Sequence, residues 1–516
     1  MSIESGTRFK TAEADVIVVG GGGSGLAAAV EAASLGRSVI LLEKAPALGG
    51  STAWSVGSIS ATNTPQQIAA GILDSPADHL EDLYRFNAPL KLPENEALSR
   101  MLVENVPETL RWLMSMGVEF YGPMKELPHR KPRMHVVLPN SRAYIYHLGR
   151  RARDTGVDIR TSMRATAFVM EGGRVVGVRC AGPDGEREFR ARGGVVVTSG
   201  CYSGSAERRA RHFGAHMEAV PPVNIYNTGD GHDMIEAIGG RVINPHLYLA
   251  GLRFKPPPRR WLHDLPPHPI VTRTMRFMLE KLPGALVRPF VMGFLTTFLV
   301  PSPNMLKAGA VLVNRDGERF GDELHEPGPR VSQQPDKHSY IVMDARIAAR
   351  FTGWPNYVST APGFAYASID DYRRNRKDIF HEAATLGQLA ARLGMPADAL
   401  ERTVADTNAQ RVQSGDPRPT LEQGPYVAMG PVVYMINFAD GGIAVSNDLE
   451  VLGQDGQPIP GLYAAGLTGL GGVLLEGHGH HLAWVFTTGR LAARRAAWNV
   501  TTQDIPEAAG AVPAAH

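Results

Sequence analysis

Three glycines near the start of the chain, Gly20, Gly22 and Gly25, have the spacing G-x-G-x-x-G and follow an apolar run at 16–19. Such glycines let a strand turn tightly into a helix, let the backbone approach a pyrophosphate, and let the helix pack against the strand. Glu43 follows at the distance where a carboxylate accepts hydrogen bonds from ribose hydroxyls. These residues predict a dinucleotide site. The alternative is a glycine-rich turn in an unrelated α/β protein.

A second glycine-rich segment decides between the two common dinucleotide cofactors. Gly49 and Gly50 allow close backbone approach, and Ser51 and Thr52 offer hydroxyls to a phosphate or a flavin. A site for NAD does not need this second phosphate loop, so we expect FAD. The cofactor contacts predicted in this part of the chain are Gly20, Gly22, Gly23, Ser24, Gly25, Glu43, Lys44, Gly50, Ser51, Thr52 and Gly57.

Further motifs make the chain resemble the fumarate reductase/succinate dehydrogenase flavoprotein family, which includes 3-ketosteroid dehydrogenases and related desaturases. These motifs are TSGCY at 198–202, NTGDG at 227–231 and PIPGLYAAG at 458–466. The resemblance implies FAD bound without a covalent link, because Ser51 stands where succinate dehydrogenases carry a flavin-linked His. It also implies cofactor contacts at Ala165, Gly200, Asp230, Gly466, Gly479, His480, His481 and Leu482.

The resemblance ends at the residues that bind substrate. Pro327 stands where fumarate reductases have a proton-donating Arg, Glu476 where they have a substrate-binding Arg, and Phe438 where they have a His. A four-carbon dicarboxylate needs paired cations, so fumarate and succinate are not the expected substrates. The catalytic tyrosines of ketosteroid dehydrogenases are also missing, since their positions hold Pro327 and Leu475. Only the small residue over the flavin, Gly479, is kept.

The loop LLEGHGHH at 474–481 replaces these groups. Glu476 and His478 are the main candidates for acid/base chemistry or for orienting the substrate. The alternative is that they only brace the loop through hydrogen bonds. Several imidazoles beside a carboxylate also suggest a metal site, but no other segment offers a matched ligand set, so we predict none. His325 and Arg330 are candidates of second rank, whose alternative role is a position in a solvated cap loop. Tyr121 could also reach the pocket, although nothing in its local sequence requires it.

Flavin chemistry in this family moves a hydride between the flavin N5 atom and a substrate carbon. With the dicarboxylate clamp missing, we expect a dehydrogenase or reductase of CH–CH bonds that acts on an apolar cyclic ketone, 3-ketosteroid-like. Two alternatives stay open. One is reduction of an unsaturated carboxylate through another cation, such as Arg330 or Arg133. The other is an electron-transfer subunit. No second dinucleotide fingerprint is visible, so we expect an external electron acceptor.

The elements that must position these residues begin with a strand–helix–strand unit over residues 15–44. Composition changes between about 246 and 436, where prolines and basic residues are frequent, and the rhythm of alternating strands and helices is lost. We therefore predict an α/β fold with a discontinuous Rossmann-type FAD-binding domain and an inserted α+β capping domain. The predicted divisions are 1–245 and 437–500 for the FAD-binding domain, 246–436 for the cap and 501–516 for a flexible tail.

Composition restricts the class of protein. With 516 residues the chain is too long for one compact core. Its 53 Lys and Arg nearly balance 51 Asp and Glu, which argues against a nucleic-acid partner. The two cysteines form no CxxC motif and suit a reducing compartment. No secretory signal is visible, so we expect a cytoplasmic protein. Basic residues followed by an apolar run within 253–301 predict peripheral membrane contact, an apolar substrate tunnel, or a buried cap helix with a basic rim.

Overall fold

The protein is described by a computed structural model over residues 10–256, 265–295, 300–353, 355–361 and 365–500. Its strands are β1 (Lys10–Val19), β2 (Val39–Leu42), β3 (Ser58–Ser60), β4 (Glu119–Met124), β5 (Met134–Leu138), β6 (Asp158–Arg160), β7 (Arg164–Glu171), β8 (Arg174–Gly182), β9 (Gly185–Val197), β10 (Val242–Ile243), β11 (Tyr248–Phe254), β12 (Val311–Val313), β13 (His338–Met343), β14 (Ser359–Ala361), β15 (Ala365–Ala367), β16 (Phe380–Ala383), β17 (Tyr426–Ala439), β18 (Gly442–Ile443), β19 (Glu450–Leu452) and β20 (Pro458–Ala464).

The helices are α1 (Gly23–Ser34), α2 (Pro65–Ala69), α3 (Pro76–Asn87), α4 (Glu96–Ser115), α5 (Arg142–Asp154), α6 (Ala206–Phe213), α7 (Asp230–Ala237), α8 (Pro269–Lys281), α9 (Gly284–Leu295), α10 (Asn304–Lys307), α11 (Pro327–Val331), α12 (Ala345–Ala349), α13 (Ile369–Asn375), α14 (Leu386–Leu393), α15 (Ala397–Ser414) and α16 (His480–Trp498).

The main sheet has the strand order β19-β20-β9-β1-β2-β6, and β8 and β7 continue antiparallel from β9. β1 pairs in parallel with β2 and β9, and β20 pairs in parallel with β9. The apolar run Val16–Val19 of β1 is buried throughout, as a central parallel strand covered on both faces requires. The predicted strand–helix–strand unit is present as β1, α1 and β2, and the α/β fold class is confirmed.

Helices α1 and α16 pack closely against each other beside this sheet. Residues Gly23 to Ala32 of α1 are all buried, and most of them are small, which permits the close approach. Helix α16 is buried along most of its length and also contacts α4. This packing places the first turn of α1 and the first turn of α16 at the same end of the sheet, where the cofactor residues were predicted.

A second sheet has the order β11-β17-β13-β12, with β16 beside β17, and all of its pairs are antiparallel. With helices α12 to α15 it surrounds a second apolar core, which is the α+β unit expected of the cap. That core also includes Cys201, Tyr202 and Phe213, which precede the predicted boundary at 245. The boundaries at 245 and 436 stay predictions.

Three small sheets complete the fold: β3-β5-β4, β10 with β18, and β14 with β15. In the described part of the chain, no helix has both the length and the apolar character needed to cross a bilayer. Helices α8 and α9 lie in the segment 253–301, for which membrane contact was predicted. Parts of that segment, 257–264 and 296–299, lie outside the described residues, as does the predicted tail 501–516.

Candidate functional site

The first glycine-rich turn joins β1 to α1 in a geometry that only small residues permit. Gly20 has a φ of +110°, and a Cβ on Gly25 would lie 1.8 Å from the carbonyl oxygen of Gly20. Helix α1 starts from Gly22 without a side-chain cap, and no acidic residue occupies its first turn. The Ser24 hydroxyl is buried without a hydrogen-bond partner among the described residues. This helix start, with its positive dipole end beside the glycine turn, suits a phosphate.

Glu43 lies at the end of β2, beside that turn. Its buried carboxylate accepts hydrogen bonds from the backbone N–H groups of Gly21, at 2.6 Å, and Ala45, at 2.7 Å. These two bonds hold the carboxylate against the first glycine-rich turn. The position fits the predicted role of accepting ribose hydroxyls, because each carboxylate oxygen has a second lone pair.

Asp230, at the start of α7, is the centre of a small charged cluster. Lys44 lies 2.9 Å from its carboxylate, Arg164 lies 3.1 Å away, and the Thr228 hydroxyl donates at 2.8 Å. Burial alone would raise the pKa of Asp230, but the hydrogen bonds from Arg164, Lys44 and Thr228 outweigh it and lower that pKa. The predicted residues 44 and 230 therefore meet, and Ala165 follows Arg164 on β7.

The second glycine-rich segment packs directly on the first. The Thr52 hydroxyl accepts a hydrogen bond from the backbone N–H of Gly23 at 3.2 Å. The Ser51 hydroxyl accepts from the side-chain amides of Asn224, at 3.1 Å, and Asn227, at 2.9 Å. Sequence reasoning missed both asparagines as site residues, although Asn227 begins the NTGDG motif. Segments far apart in the chain thus form one polar cradle.

The end of β20 and the start of α16 close this cradle. Gly466 donates its N–H to the Thr488 hydroxyl at 3.0 Å, and its carbonyl accepts from the Trp484 ring nitrogen at 3.0 Å. A Cβ on Gly466 would lie 2.9 Å from the Cβ of Ser24. Gly479 directly precedes helix α16, has a φ of +90° and provides no side-chain cap. Two uncapped helix starts, tight glycine turns and an unpartnered buried hydroxyl fit a dinucleotide such as FAD.

The other predicted cofactor residues lie around the same turns. Gly50 begins a short 3₁₀ helix at 50–54, Gly57 and Gly200 have φ of +84° and +80°, and Leu482 lies in the first turn of α16. A Cβ on Gly200 would lie 2.8 Å from the Asn227 side-chain oxygen, so this glycine allows the approach of the asparagine that holds Ser51.

Around the start of α16, the carboxylates of Glu476 and Asp440 lie near the imidazole of His481. His481 Nε2 lies 3.0 Å from Asp440, and its ring packs 4.4 Å from the Phe438 ring, measured between centroids. Burial raises the pKa of Glu476, and the neighbouring Asp440 carboxylate raises it further. The backbone N–H of Glu476 donates to the Asn87 side chain at 3.1 Å. A carboxyl with a raised pKa is suited to proton exchange near neutral pH.

His478 forms a two-point contact with Glu126, which lies in the segment between β4 and β5. One carboxylate oxygen of Glu126 lies 2.5 Å from His478 Nδ1, and the other accepts the His478 backbone N–H at 3.2 Å. Burial would lower the pKa of His478, but the bond to Glu126 outweighs it and raises that pKa. Ser60 also donates to the His478 carbonyl at 2.8 Å. Sequence reasoning missed Glu126, which carries no local signal.

The ring of His480, the first residue of α16, lies in a buried imidazole cluster. Its Nε2 lies 3.1 Å from Nε2 of His79, and its Nδ1 lies 2.6 Å from the Glu476 carbonyl. His129 completes the cluster and accepts a hydrogen bond from Arg133 at 3.0 Å. No local pattern joins His480 to the other two rings, because residues 79 and 480 are 401 positions apart.

The second-rank candidates lie apart from these contacts. His325 is 79% exposed and pairs with Asp322 at 2.7 Å, and Arg330 donates to the Asp322 carbonyl at 3.3 Å. In the described part of the chain, no hydrogen bond joins His325 or Arg330 to the loop at 474–481. Tyr121 lies half-buried on β4, and burial raises its pKa. Catalytic roles for these three residues stay predictions.

Comparison with known proteins gives consistent matches. The FAD binding domain family matches residues 15–260 and 287–474 of the chain. NADH:fumarate oxidoreductase of Klebsiella pneumoniae (strain 342) is 27% identical over 504 residues, which cover 94% of this chain and 47% of that protein. The chain therefore spans about half the length of that relative. A second relative, 4-oxocyclohexanecarboxylate 2-dehydrogenase of Sinomonas cyclohexanicum, is 27% identical over 517 residues, which cover 88% of this chain and 87% of that protein.

A solved structure supports the same fold. The open conformation of a flavocytochrome c3 fumarate reductase superposes with a TM-score of 0.72 at 25% identity, covering 95% of this chain and 78% of that one. The match extends over both sheets, since it covers nearly the whole chain.

Proposed function

The chain belongs to the FAD binding domain family, as its motifs predicted, and on that basis we propose that it is an FAD-dependent oxidoreductase acting on the CH–CH bond beside the carbonyl of an uncharged, apolar cyclic ketone. FAD supplies hydride transfer at its N5 atom when bound. We propose that the two glycine-rich segments, Glu43 and the first turn of α16 hold it without a covalent link.

The observation that carries the choice of substrate is the charge of the loop before α16. Burial and the nearby Asp440 carboxylate raise the pKa of Glu476, and Asp440 is paired with His481. Two carboxylates repel an anionic substrate. Arg133, one cation considered for binding a carboxylate, is fully buried and bonded to Asp74 and Asp82, so it has no free edge for one.

The residue roles follow from the two proton-bearing groups of the loop. Glu476, with its raised pKa, is proposed to exchange the proton on the carbon next to the carbonyl. His478, whose pKa is raised by the bond to Glu126, is proposed to donate a hydrogen bond to the carbonyl oxygen, where negative charge develops. The contact with Glu126 supports this role because it favours the protonated imidazole and orients the ring.

The relatives support the ketone and leave one alternative. The Sinomonas relative is named for a cyclic ketone that also carries a carboxylate, and the Klebsiella relative for fumarate. The alternative function is therefore reduction of an unsaturated carboxylate, with Arg330 as the cation. In either case we propose an external electron-transfer partner, because only one dinucleotide fingerprint was found in the sequence.

A membrane-surface contact through 253–301 is a further part of the proposal. Ile270 and Phe277 of α8 and Leu286 of α9 are each more than half exposed, and Arg273 is largely exposed beside them. Exposed apolar side chains next to basic ones suit a membrane surface, from which an apolar ketone would be drawn.

Anaerobic titration of the purified, FAD-containing protein tests the function. We expect saturated cyclic ketones, from 4-methylcyclohexanone to 3-ketosteroids, to bleach the flavin absorbance and to yield the enone. The effect of substrate charge is tested with two similar ketones: 4-oxocyclohexanecarboxylate should bleach the flavin absorbance less than the uncharged 4-methylcyclohexanone. If no ketone bleaches the flavin and fumarate or an aryl acrylate reoxidises the reduced protein, the ketone proposal is wrong and the alternative is right. Release of flavin on denaturation tests non-covalent binding.

A further inference from the structure

Three buried histidines converge next to the proposed catalytic loop. His79 belongs to α3, His129 to the segment between β4 and β5, and His480 is the first residue of α16. Each is 0% exposed. Among the described residues, they form a group whose nitrogen atoms, one from each ring, all lie within 4.8 Å of one another. Distant parts of the chain therefore meet through imidazoles, and the Phe86 ring packs against two of them, His129 and His480.

Each ring of the cluster can offer a nitrogen lone pair. A neutral imidazole carries one N–H group and one nitrogen that keeps its lone pair. His480 donates its Nδ1 proton to the Glu476 carbonyl, which leaves its Nε2 lone pair facing His79 at 3.1 Å. Nitrogens bound to one tetrahedral zinc ion at about 2.0–2.1 Å are about 3.4 Å apart, close to this spacing.

Hydrogen bonds within the protein do not satisfy the cluster. His79 Nδ1 and His129 Nε2 are buried and have no hydrogen-bond partner among the described residues. An unsatisfied buried polar atom destabilises the fold unless something else binds it. A ligand that takes up a nitrogen lone pair on each ring would remove part of this cost.

Charged side chains lie beside the cluster. Asp82 lies 3.9 Å from His129 Nδ1, and its carboxylate also pairs with Arg85, Arg130 and Arg133. Arg133 forms a second pair with Asp74 and donates to His129 Nδ1. Binding a metal through Nε2 of His129 would therefore require the ring proton to move to Nδ1 and the hydrogen bond from Arg133 to break.

We propose that His79, His129 and His480 bind one divalent transition-metal ion of the zinc type, for which neutral imidazole is a preferred ligand. The ion would tie α3 and the β4–β5 segment to the start of α16. Its role would be structural, since it would fix the loop that carries Glu476 and the partner of His478. This site was not expected from the sequence and does not depend on the proposed reaction.

Metal analysis of the full-length, FAD-containing protein tests the proposal. After removal of loosely bound metal, we expect about one zinc-type ion per chain by mass spectrometry, or saturable uptake of added Zn²⁺ by protein treated with chelator. X-ray absorption at the zinc edge should show nitrogen neighbours at about 2.0–2.1 Å. His79→Gln and His129→Gln should lower Zn²⁺ affinity at least about tenfold, because even the loss of an outer-shell partner of a metal ligand costs about 10–100-fold.

His147→Gln is the matched control, because His147 is also buried but lies on α5, outside the cluster. It should bind Zn²⁺ like the natural protein. The FAD absorbance of each variant reports whether it folds. The proposal is wrong if the natural protein contains no metal and takes up no Zn²⁺, or if folded His79→Gln and His129→Gln variants bind it unchanged. Since neither measurement uses a substrate, failure of the proposed reaction would not affect the result.

Discussion

Replacing the carboxylate of Glu126 tests the role of His478, with which it is paired. The bond to Glu126 raises the pKa of His478. The contribution of this bond to the free energy of unfolding is therefore fully present at low pH, and it is lost as the pH rises through the raised pKa. Glu126→Gln should therefore move the titration of His478 to lower pH. If His478 acts as a hydrogen-bond donor, the alkaline fall of kcat/KM should move with it. Histidine NMR and the pH profile measure the two effects separately.

An exposed ion pair provides the control for this residue. Glu96 pairs with Arg100 on the surface of α4, so Glu96→Gln should leave both measurements unchanged. If the His478 titration shifts while the pH profile stays in place, His478 is a bracing residue of the loop, which was the alternative interpretation of the sequence. An unshifted titration would contradict the ion pair itself.

At the level of elements, the contact between β1 and α1 depends on Gly25. A Cβ there would meet the backbone oxygen of Gly20, which cannot move aside as a flexible side chain would. We expect Gly25→Ala to displace the start of α1, to abolish FAD binding and to lower the free energy of unfolding by about 3 kcal/mol. Flavin content after gel filtration and urea unfolding measure these changes. Gly284→Ala is the control, because a Cβ at Gly284 meets no atom within 4 Å; a similar loss of flavin there would refute the explanation.

At the level of the whole molecule, Arg490 joins three helices. This buried guanidinium of α16 lies 3.0 Å from Glu31 of α1 and 2.7 Å from Glu108 of α4. Arg490→Met leaves both carboxylates with only Arg494, and we expect a loss of about 3 kcal/mol in the free energy of unfolding at neutral pH. The exposed pair of Arg402 provides the control, since Arg402→Met should cost less than about 1 kcal/mol.

The pH dependence of this network gives a second check. The hydrogen bond from Arg490 lowers the pKa of Glu108. The stability that this contact adds is therefore present above the unfolded-state pKa of the carboxyl, and it is lost as the pH falls through the lowered value. The difference between the natural protein and Arg490→Met in urea unfolding should shrink in acid. A constant difference across the acid range would show that the contact with Glu108 contributes little.

The sequence by itself determined the strand–helix–strand unit, the glycine turns and the FAD cofactor, because each depends on residues a few positions apart whose backbone freedom or charge sets the local geometry. It also identified the loop that carries Glu476. Only the tertiary structure decided which groups face that loop. Glu126, Asp440 and the buried pair of His79 and His129 carry no local signal, since their contacts arise where distant segments pack together. The division of the chain into cofactor domain and cap depends on both. A change in composition marks the inserted segment in the sequence, but only the packing of the folded chain decides which residues belong to each core.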